Sequence, residues 1–478
     1  MNVDSISEIR HSLDREGASV AEVTKAVLTR IHQRDEAIHS FLTVADDHAM
    51  AEADALQHSA DSKADRSPLW GVPFSVKDVY DTAGVRTTYG SRIYEHHVPD
   101  VDAPVVGRIR RAGGVLVGKT NTPEFAIFIR TVNRLQPETL NPWDPTRTAG
   151  GSSGGAAASI AAGLTPVAVG SDGGGSVRIP SALCGVVGLM PSRGAVPRGG
   201  GTIGTRRFSA AGPMSLLARD ARALWTAMAG PDRRDPLSRG LSPTGVRGRP
   251  LPGRGLRLRW IGESGAQGSE QDVVDAAHRG ATGLSETTGS RLHEPDTSMA
   301  SPRFSEPFYA IMQSDRLSTG GRELIQDDAA EALLTGYARH HLQQAARLGG
   351  DDYSSALEMQ LQATEHLMGL LDEVDVLVTP TVAAIAPTIP TGASPLPEDA
   401  RRGLVAFTFL MNYTGFPAAT VPCGLVRGMP VGLQLIGRPG TDADLLRLCQ
   451  TFQEEVFRLP PATLPASAGI AQTDQERT

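Results

Sequence analysis

The sequence predicts an α/β protein, a β-sheet with helices packed on it, built as one large domain. Two patterns carry that expectation. Short Val-rich runs of strand character alternate with helix-spaced segments through the first half of the chain. Further strand-like runs near the C-terminus, with no internal repeat, read as additions to the same sheet. At 478 residues the chain is long enough to bury a core of that size.

Taken in order, residues 5–60 read as helical, with Val20, Val23, Val27 and Ile31 spaced for one face. The run Gly71–Asp78 is strand-like, a helical stretch follows over Val105–Arg111, and Val115–Val117 is the next strand. Residues 149–163 form a Gly/Ser turn that opens into an Ala-rich helix, and Pro166–Val169 is a strand ending in a second glycine cluster. The Pro-, Gly- and Arg-rich stretch 230–258 reads as a surface loop, and 321–374 as a helical flank or cap. Val376–Thr379 and Val431–Ile436 form a late strand pair. The Pro/Ala/Ser-rich tail 461–478 is expected to be disordered.

Composition excludes several classes. Hydrophobic residues make up 40% and charged residues 21%, the balance of a globular protein, and a net charge of −7 gives no nucleic-acid surface. No apolar run reaches the ~18 residues that span a bilayer. The N-terminal segment is polar and acidic without an apolar h-region, so no secretory signal is expected. Cys184, Cys423 and Cys449 form neither a disulfide framework nor a zinc pattern, and a cytoplasmic location is expected. His96-His97 and His340-His341 lack ligand spacing and are expected to be solvated, so no metal is expected.

The lysines are more pointed. Only four of the 46 basic residues are lysine: Lys25, Lys63, Lys77 and Lys119. Arginine does not give up its proton in a protein, whereas a buried lysine can be pushed down to act as a base. Two glycine-rich segments also stand out, Ala149–Gly155 with Ser152 and Ser153, and Gly170–Pro180 with Asp172, Ser176 and Arg178. Glycines clustered this way let backbone approach a ligand closely and let several N–H groups point one way. A linker would not sit between an Ala-rich helix and Val-rich strands.

These segments resemble the amidase signature family, whose Gly/Ser-rich stretch runs from a Gly-Gly-Ser-Ser-Gly-Gly loop to a Gly-Ser-(Ile/Val)-Arg-x-Pro segment. The likeness extends through Gly71–Asp78, Gly118–Phe125, Asn141–Pro145, Cys184–Leu189, Gly212–Met214, Thr414–Ala418 and Met429–Gln434. The resemblance implies one domain over residues 1–460, a mixed sheet with helices on both faces. It also implies a Ser–cis-Ser–Lys triad. Ser176, before Val-Arg-Ile-Pro, matches the nucleophile, Ser152 the cis-serine, and Lys77 the lysine of the Gly-Val-Pro-x-x-x-Lys-Asp segment. The Gly151–Ser152 bond is expected to be cis by the same likeness. The N–H groups of Gly173, Gly174, Gly175 and Ser176 are the expected oxyanion hole. Ser153, Asp172 and Arg178 are expected to brace the loops. The implied reaction is amide hydrolysis through an acyl-Ser176 intermediate, with no cofactor. The expected partner is a small-molecule amide, with neither nucleic acid nor membrane, and a homodimer is left open.

Rival readings exist. Gly113–Thr120 satisfies the Gly-x-x-x-x-Gly-Lys-Thr string of a phosphate-binding loop, but Val115-Leu116-Val117 is a strand where the cradle should be and Pro123 follows where a helix should run. Lys119 is expected to serve the framework. Gly150–Gly154 formally fits a Gly-x-Ser-x-Gly elbow, yet no clear apolar strand leads into it and no histidine lies in either glycine loop. Within the family, the glutaminase component of a glutamine-dependent amidotransferase usually carries Arg-Gln-Pro after the nucleophile, where this chain has Arg178-Ile179-Pro180. An acyltransferase, in which an amine captures the acyl group, uses the same triad. Two departures from the family pattern point to an unusual substrate: Met190 in place of a common lysine, and the segment Thr131–Glu138, expected to border the entrance. Phe304, Phe308, Tyr309, Phe407 and Phe409 are the aromatic candidates for the pocket wall.

Overall fold

The computed structural model describes residues 2–58, 66–201, 204, 207–238, 250–262, 268–293 and 302–464. In chain order the strands begin with β1 (Phe41–Val44), β2 (Pro73–Lys77), β3 (Val115–Thr120), β4 (Leu140–Asn141), β5 (Asp144–Thr148), β6 (Val167–Asp172) and β7 (Val187–Met190). They continue with β8 (Ala210–Ser215), β9 (Arg257–Trp260), β10 (Arg291–His293), β11 (Val376–Pro380), β12 (Ala418–Val426) and β13 (Met429–Ile436).

Eleven of these strands form one mixed sheet in the order β1-β3-β2-β6-β8-β7-β12-β13-β11-β9-β10, and β4 and β5 pair separately. β2 runs parallel to both β3 and β6, while β7, β8, β12 and β13 pair antiparallel through the middle. The late pair expected from sequence is present, with Leu377 opposite Ile436, and it extends the first sheet. Every residue of β2, β3 and β6 is buried, which is why these runs read as continuously apolar and lack alternation.

Helices cover both faces. Val20, Val23, Val27 and Ile31 of the helix Val20–Arg34 are fully buried against β2 and β3, and Ser19 with Glu22 forms its capping box. At the other end, Val376 and Val378 of β11 pack with helices Gln271–Thr287 and Asp442–Glu455, while Leu377 packs with helices Ser305–Arg316 and Gly350–Leu371. Successive strand residues face opposite ways, so the sheet is sandwiched between two helical layers.

Four expectations change. The stretch 5–60 is not all helix, because β1 pairs antiparallel with β3 between two helices. The flank 321–374 is four helices, Arg322–Gln326, Asp328–Leu333, Gly336–Ala345 and Gly350–Leu371. Asp327 and Thr335 cap the second and third of these, so each restart has its own N-cap. Of the loop 230–258, residues 239–249 lie outside the described residues, and Arg257 already begins β9. Most of the tail, 465–478, also lies outside them. Its first residues pack down, with Ala462 buried and its N–H donating to the Ala161 carbonyl at 2.9 Å.

Candidate active site

The site lies at the carboxyl ends of the parallel strands β2 and β6, where an α/β sheet leaves room for a ligand. Lys77 is the last residue of β2, and Ser171 and Asp172 end β6. Between them the first glycine loop enters helix Gly154–Ala161. Gly151 must be glycine, since a Cβ there would stand 2.7 Å from the Ile129 carbonyl carbon and 2.9 Å from the Phe128 and Ile129 oxygens. The Gly151–Ser152 peptide is cis.

Lys77 is fully buried and surrounded by three hydroxyls. Its Nζ lies 2.6 Å from Ser152 Oγ, 3.1 Å from Ser153 Oγ and 2.8 Å from Ser171 Oγ. Burial holds its pKa well below the usual lysine value; Asp172 opposes this, and the guanidinium groups of Arg316 and Arg198 add to it. Ser153 donates to the Ser171 carbonyl at 3.1 Å and accepts from the Ser171 N–H at 3.2 Å, so it ties the two glycine loops together. The Ser153 N–H also donates to the Ser176 carbonyl at 3.1 Å.

Asp172 organises the second loop. Its carboxylate accepts the N–H groups of Gly175 at 2.7 Å, Val177 at 3.1 Å and Arg178 at 3.3 Å, and so caps the helix Arg178–Cys184. Arg178 returns two side-chain bonds, Nε at 3.0 Å and Nη2 at 3.1 Å, inside a pair with no solvent exposure. Burial alone would raise the Asp172 pKa, but Arg178, Asn412 and the Gly175 N–H outweigh it and hold it below the usual carboxylate value. Because the Gly175 N–H is spent on Asp172, the loop donors not drawn on by that carboxylate are those of Gly173, Gly174 and Ser176. Gly175 sits at φ +125°, a conformation that favours glycine.

Two bracing residues went unnoticed in the sequence. Asn412 donates to Asp172, and Gln434 accepts from Arg178 Nη1 at 2.9 Å. Gln434 ends the Met429–Gln434 motif, which was the available signal; Asn412 had none.

Ser152, Ser176, Ser171, Gly173 and Gly174 line one cavity of about 150 Å³. Ser176 is half-buried at its wall, and Phe125–Ile129 and Arg198–Gly201 supply other sides. Of the aromatic candidates, Phe308 and Tyr309 reach it, whereas Phe304, Phe407 and Phe409 are spent in the core beside helix Gly350–Leu371. The segment Thr131–Glu138 supports the first glycine loop from behind and does not border the cavity. Thr131 Oγ1 donates to the Gly150 carbonyl at 2.8 Å and accepts from the Gly154 N–H at 3.1 Å. Lys119 is buried against Asp78 at 3.1 Å and donates to the Tyr80 carbonyl and Thr87, which removes the phosphate-loop reading. His341 is not solvated: it bonds to Arg316 at 3.0 Å, and burial together with Arg316 pushes its pKa down to about 3. Among the described residues no cluster of His, Cys, Asp or Glu is placed to hold a metal, and no helix is long and apolar enough to cross a membrane.

A mixed sheet with two glycine-serine loops converging on a buried lysine defines a class of hydrolase-like α/β enzymes, and the comparisons make the class specific. The Amidase family model matches residues 22–446. The chain belongs to the amidase signature family. It is 34% identical over 458 residues to the A-type subunit of the glutamyl-tRNA(Gln) amidotransferase from Chloroflexus aurantiacus, covering 91% of this chain and 93% of that one. It is equally 34% identical over 463 residues to an acylamidase of Rhodococcus erythropolis, covering 94% of each. Among solved structures, a bacterial aryl acylamidase superposes with a TM-score of 0.85 at 25% identity over 95% of this chain and 96% of that one.

Proposed function

We propose that the protein hydrolyses a carboxylic amide through an acyl-Ser176 intermediate. The observation that carries the reading is the buried Lys77 amine held 2.6 Å from Ser152 Oγ at the wall of the cavity that Ser176 lines. Ser153 has its proton committed to the Ser171 carbonyl, so it can only accept from Lys77. A neutral amine then spends its two N–H bonds on Ser153 and Ser171, and its lone pair faces Ser152.

On attack the Ser176 oxygen bonds to the amide carbon, its proton passes to Ser152, and the Ser152 proton passes to Lys77. The amide oxygen becomes an oxyanion, received by the N–H groups of Gly173, Gly174 and Ser176; each such donor is typically worth about 2.7–4 kcal/mol. Lys77 returns its proton through Ser152 to the leaving nitrogen, and the C–N bond breaks. Water then attacks the acyl-enzyme by the same relay and frees the acid. None of these steps calls on a cofactor. A reducing compartment such as the cytoplasm suits three free cysteines.

An ammonia-supplying amidotransferase component is the second reading, favoured by relatives of that name at 34% identity; Arg178-Ile179-Pro180 favours the first. Steady-state hydrolysis of activated anilides by the Lys77→Arg variant tests the mechanism. Arginine keeps the charge but cannot take up a proton, so kcat is expected to fall by at least about 1,000-fold, which lies within the span of general-base and oxyanion losses combined. A Lys77→Arg enzyme with wild-type turnover overturns the relay.

A further inference from the structure

Arg316 closes the helix Ser305–Arg316 and lines the same cavity as Ser176, and no carboxylate balances its charge among the described residues. It is only 7% exposed. The two fully buried guanidinium groups among those residues, Arg130 and Arg178, each face a carboxylate, Glu138 and Asp172. Arg316 differs from both. Its Nη1 bonds to His341 Nε2 at 3.0 Å, its Nη2 makes a long 3.4 Å bond to the Ala126 carbonyl, and its Nε has no partner among the described residues.

The groups around it do not supply the missing charge. His341 is neutral, and Tyr309, which also lines the cavity, keeps its proton because burial pushes the phenol up. The other cation on the cavity wall, Arg198, has the same sign. The Nε–Nη2 edge of Arg316 carries no carboxylate among the described residues, Nε being buried without a partner, and that edge has the geometry that pairs with a carboxylate through two parallel hydrogen bonds. A buried cation is costly unless it is paired, and the cavity is the side from which a counter-charge can come.

We infer that the amide cleaved at Ser176 carries a carboxylate, and that Arg316 is the specificity-determining residue that receives it. The inference rests on the proposed amidase reading of the cavity. A volume of about 150 Å³, comparable to a cavity that holds benzene, accommodates a short chain between the two groups. Monoamides of small dicarboxylic acids fit that description.

The test separates binding from turnover. In the Ser176→Ala protein, malonamate, succinamate and glutaramate are titrated by calorimetry beside their neutral counterparts propionamide, butyramide and pentanamide. At least one carboxylated amide is expected to bind tenfold or more tightly than its neutral counterpart. Adding Arg316→Met should erase that preference, costing the carboxylated amide far more affinity than its neutral counterpart, and Arg316→Lys should restore part of it. Circular dichroism melts check that the variants fold, and if Arg316→Met does not, Arg316→Lys and the paired ligands decide. Equal affinity within all three pairs, or a preference that survives loss of Arg316, overturns the inference. Tight Arg316-dependent binding by a protein whose wild type cleaves no amide would sustain Arg316 as the carboxylate-receiving residue and refute the proposed reaction instead.

Discussion

Replacing Asp172 by asparagine keeps the shape of the side chain and removes its charge at the point where the second glycine loop is tied together. In the native protein the carboxylate accepts three backbone N–H groups and two bonds from Arg178, all of them buried. Asparagine keeps one acceptor oxygen and turns an NH2 group toward the remaining donors. Breaking a buried pair by removing one partner costs about 3–5 kcal/mol. Arg178 retains Gln434 at 2.9 Å and Asn412 at 2.6 Å, so the low end, about 3 kcal/mol, is expected. Urea unfolding followed by circular dichroism gives the difference between the proteins.

A pH series sharpens that test. Asp172 has a folded pKa below its unfolded value, so its contribution is complete above about pH 4 and is lost as pH falls through the folded value. The gap between wild type and Asp172→Asn should therefore close on acidification below about pH 4. A gap under about 1 kcal/mol at pH 7, or one that stays constant in acid, would refute the role given to this carboxylate.

Two other outcomes follow from the same geometry. Burial lowers the Lys77 pKa, so between the folded value and about 10.4 the unfolded chain binds the extra proton and stability rises with pH; wild type should gain on Lys77→Met in denaturant midpoints from pH 7 to 10, and kcat/KM should fall in acid as the amine is protonated. Gly151→Ala drives a methyl to 2.7 Å from the Ile129 carbonyl carbon, so the first loop must shift, with a stability loss of about 1–3 kcal/mol by thermal melt and a larger proportional loss of kcat/KM.

Much of this site was legible because its chemistry is local. Lys77, Ser152, Ser153, Asp172, Ser176 and Arg178 sit in short segments that carry the amidase signature motifs, and Lys77 is also one of only four lysines in an arginine-rich chain. The central strands were legible because β2, β3 and β6 are buried on both faces and so read as apolar runs. β1 was hidden as four residues between two helices, and β7 and β8 lie in the sheet against β12 and β6, strands well removed from them in the chain. Gly175 was expected to donate to an oxyanion, and only the folded loop shows its N–H taken by Asp172. Arg316 could not be singled out among so many arginines, since what sets it apart is burial without a carboxylate, a property of the fold.

The most direct measurement on the central claim is intact-protein mass spectrometry after exposure to a fluorophosphonate, with wild type beside Ser176→Ala. The account predicts a single adduct on the wild-type chain, absent from Ser176→Ala and slowed in Lys77→Arg. An adduct that persists in Ser176→Ala would place the nucleophile elsewhere and contradict the account.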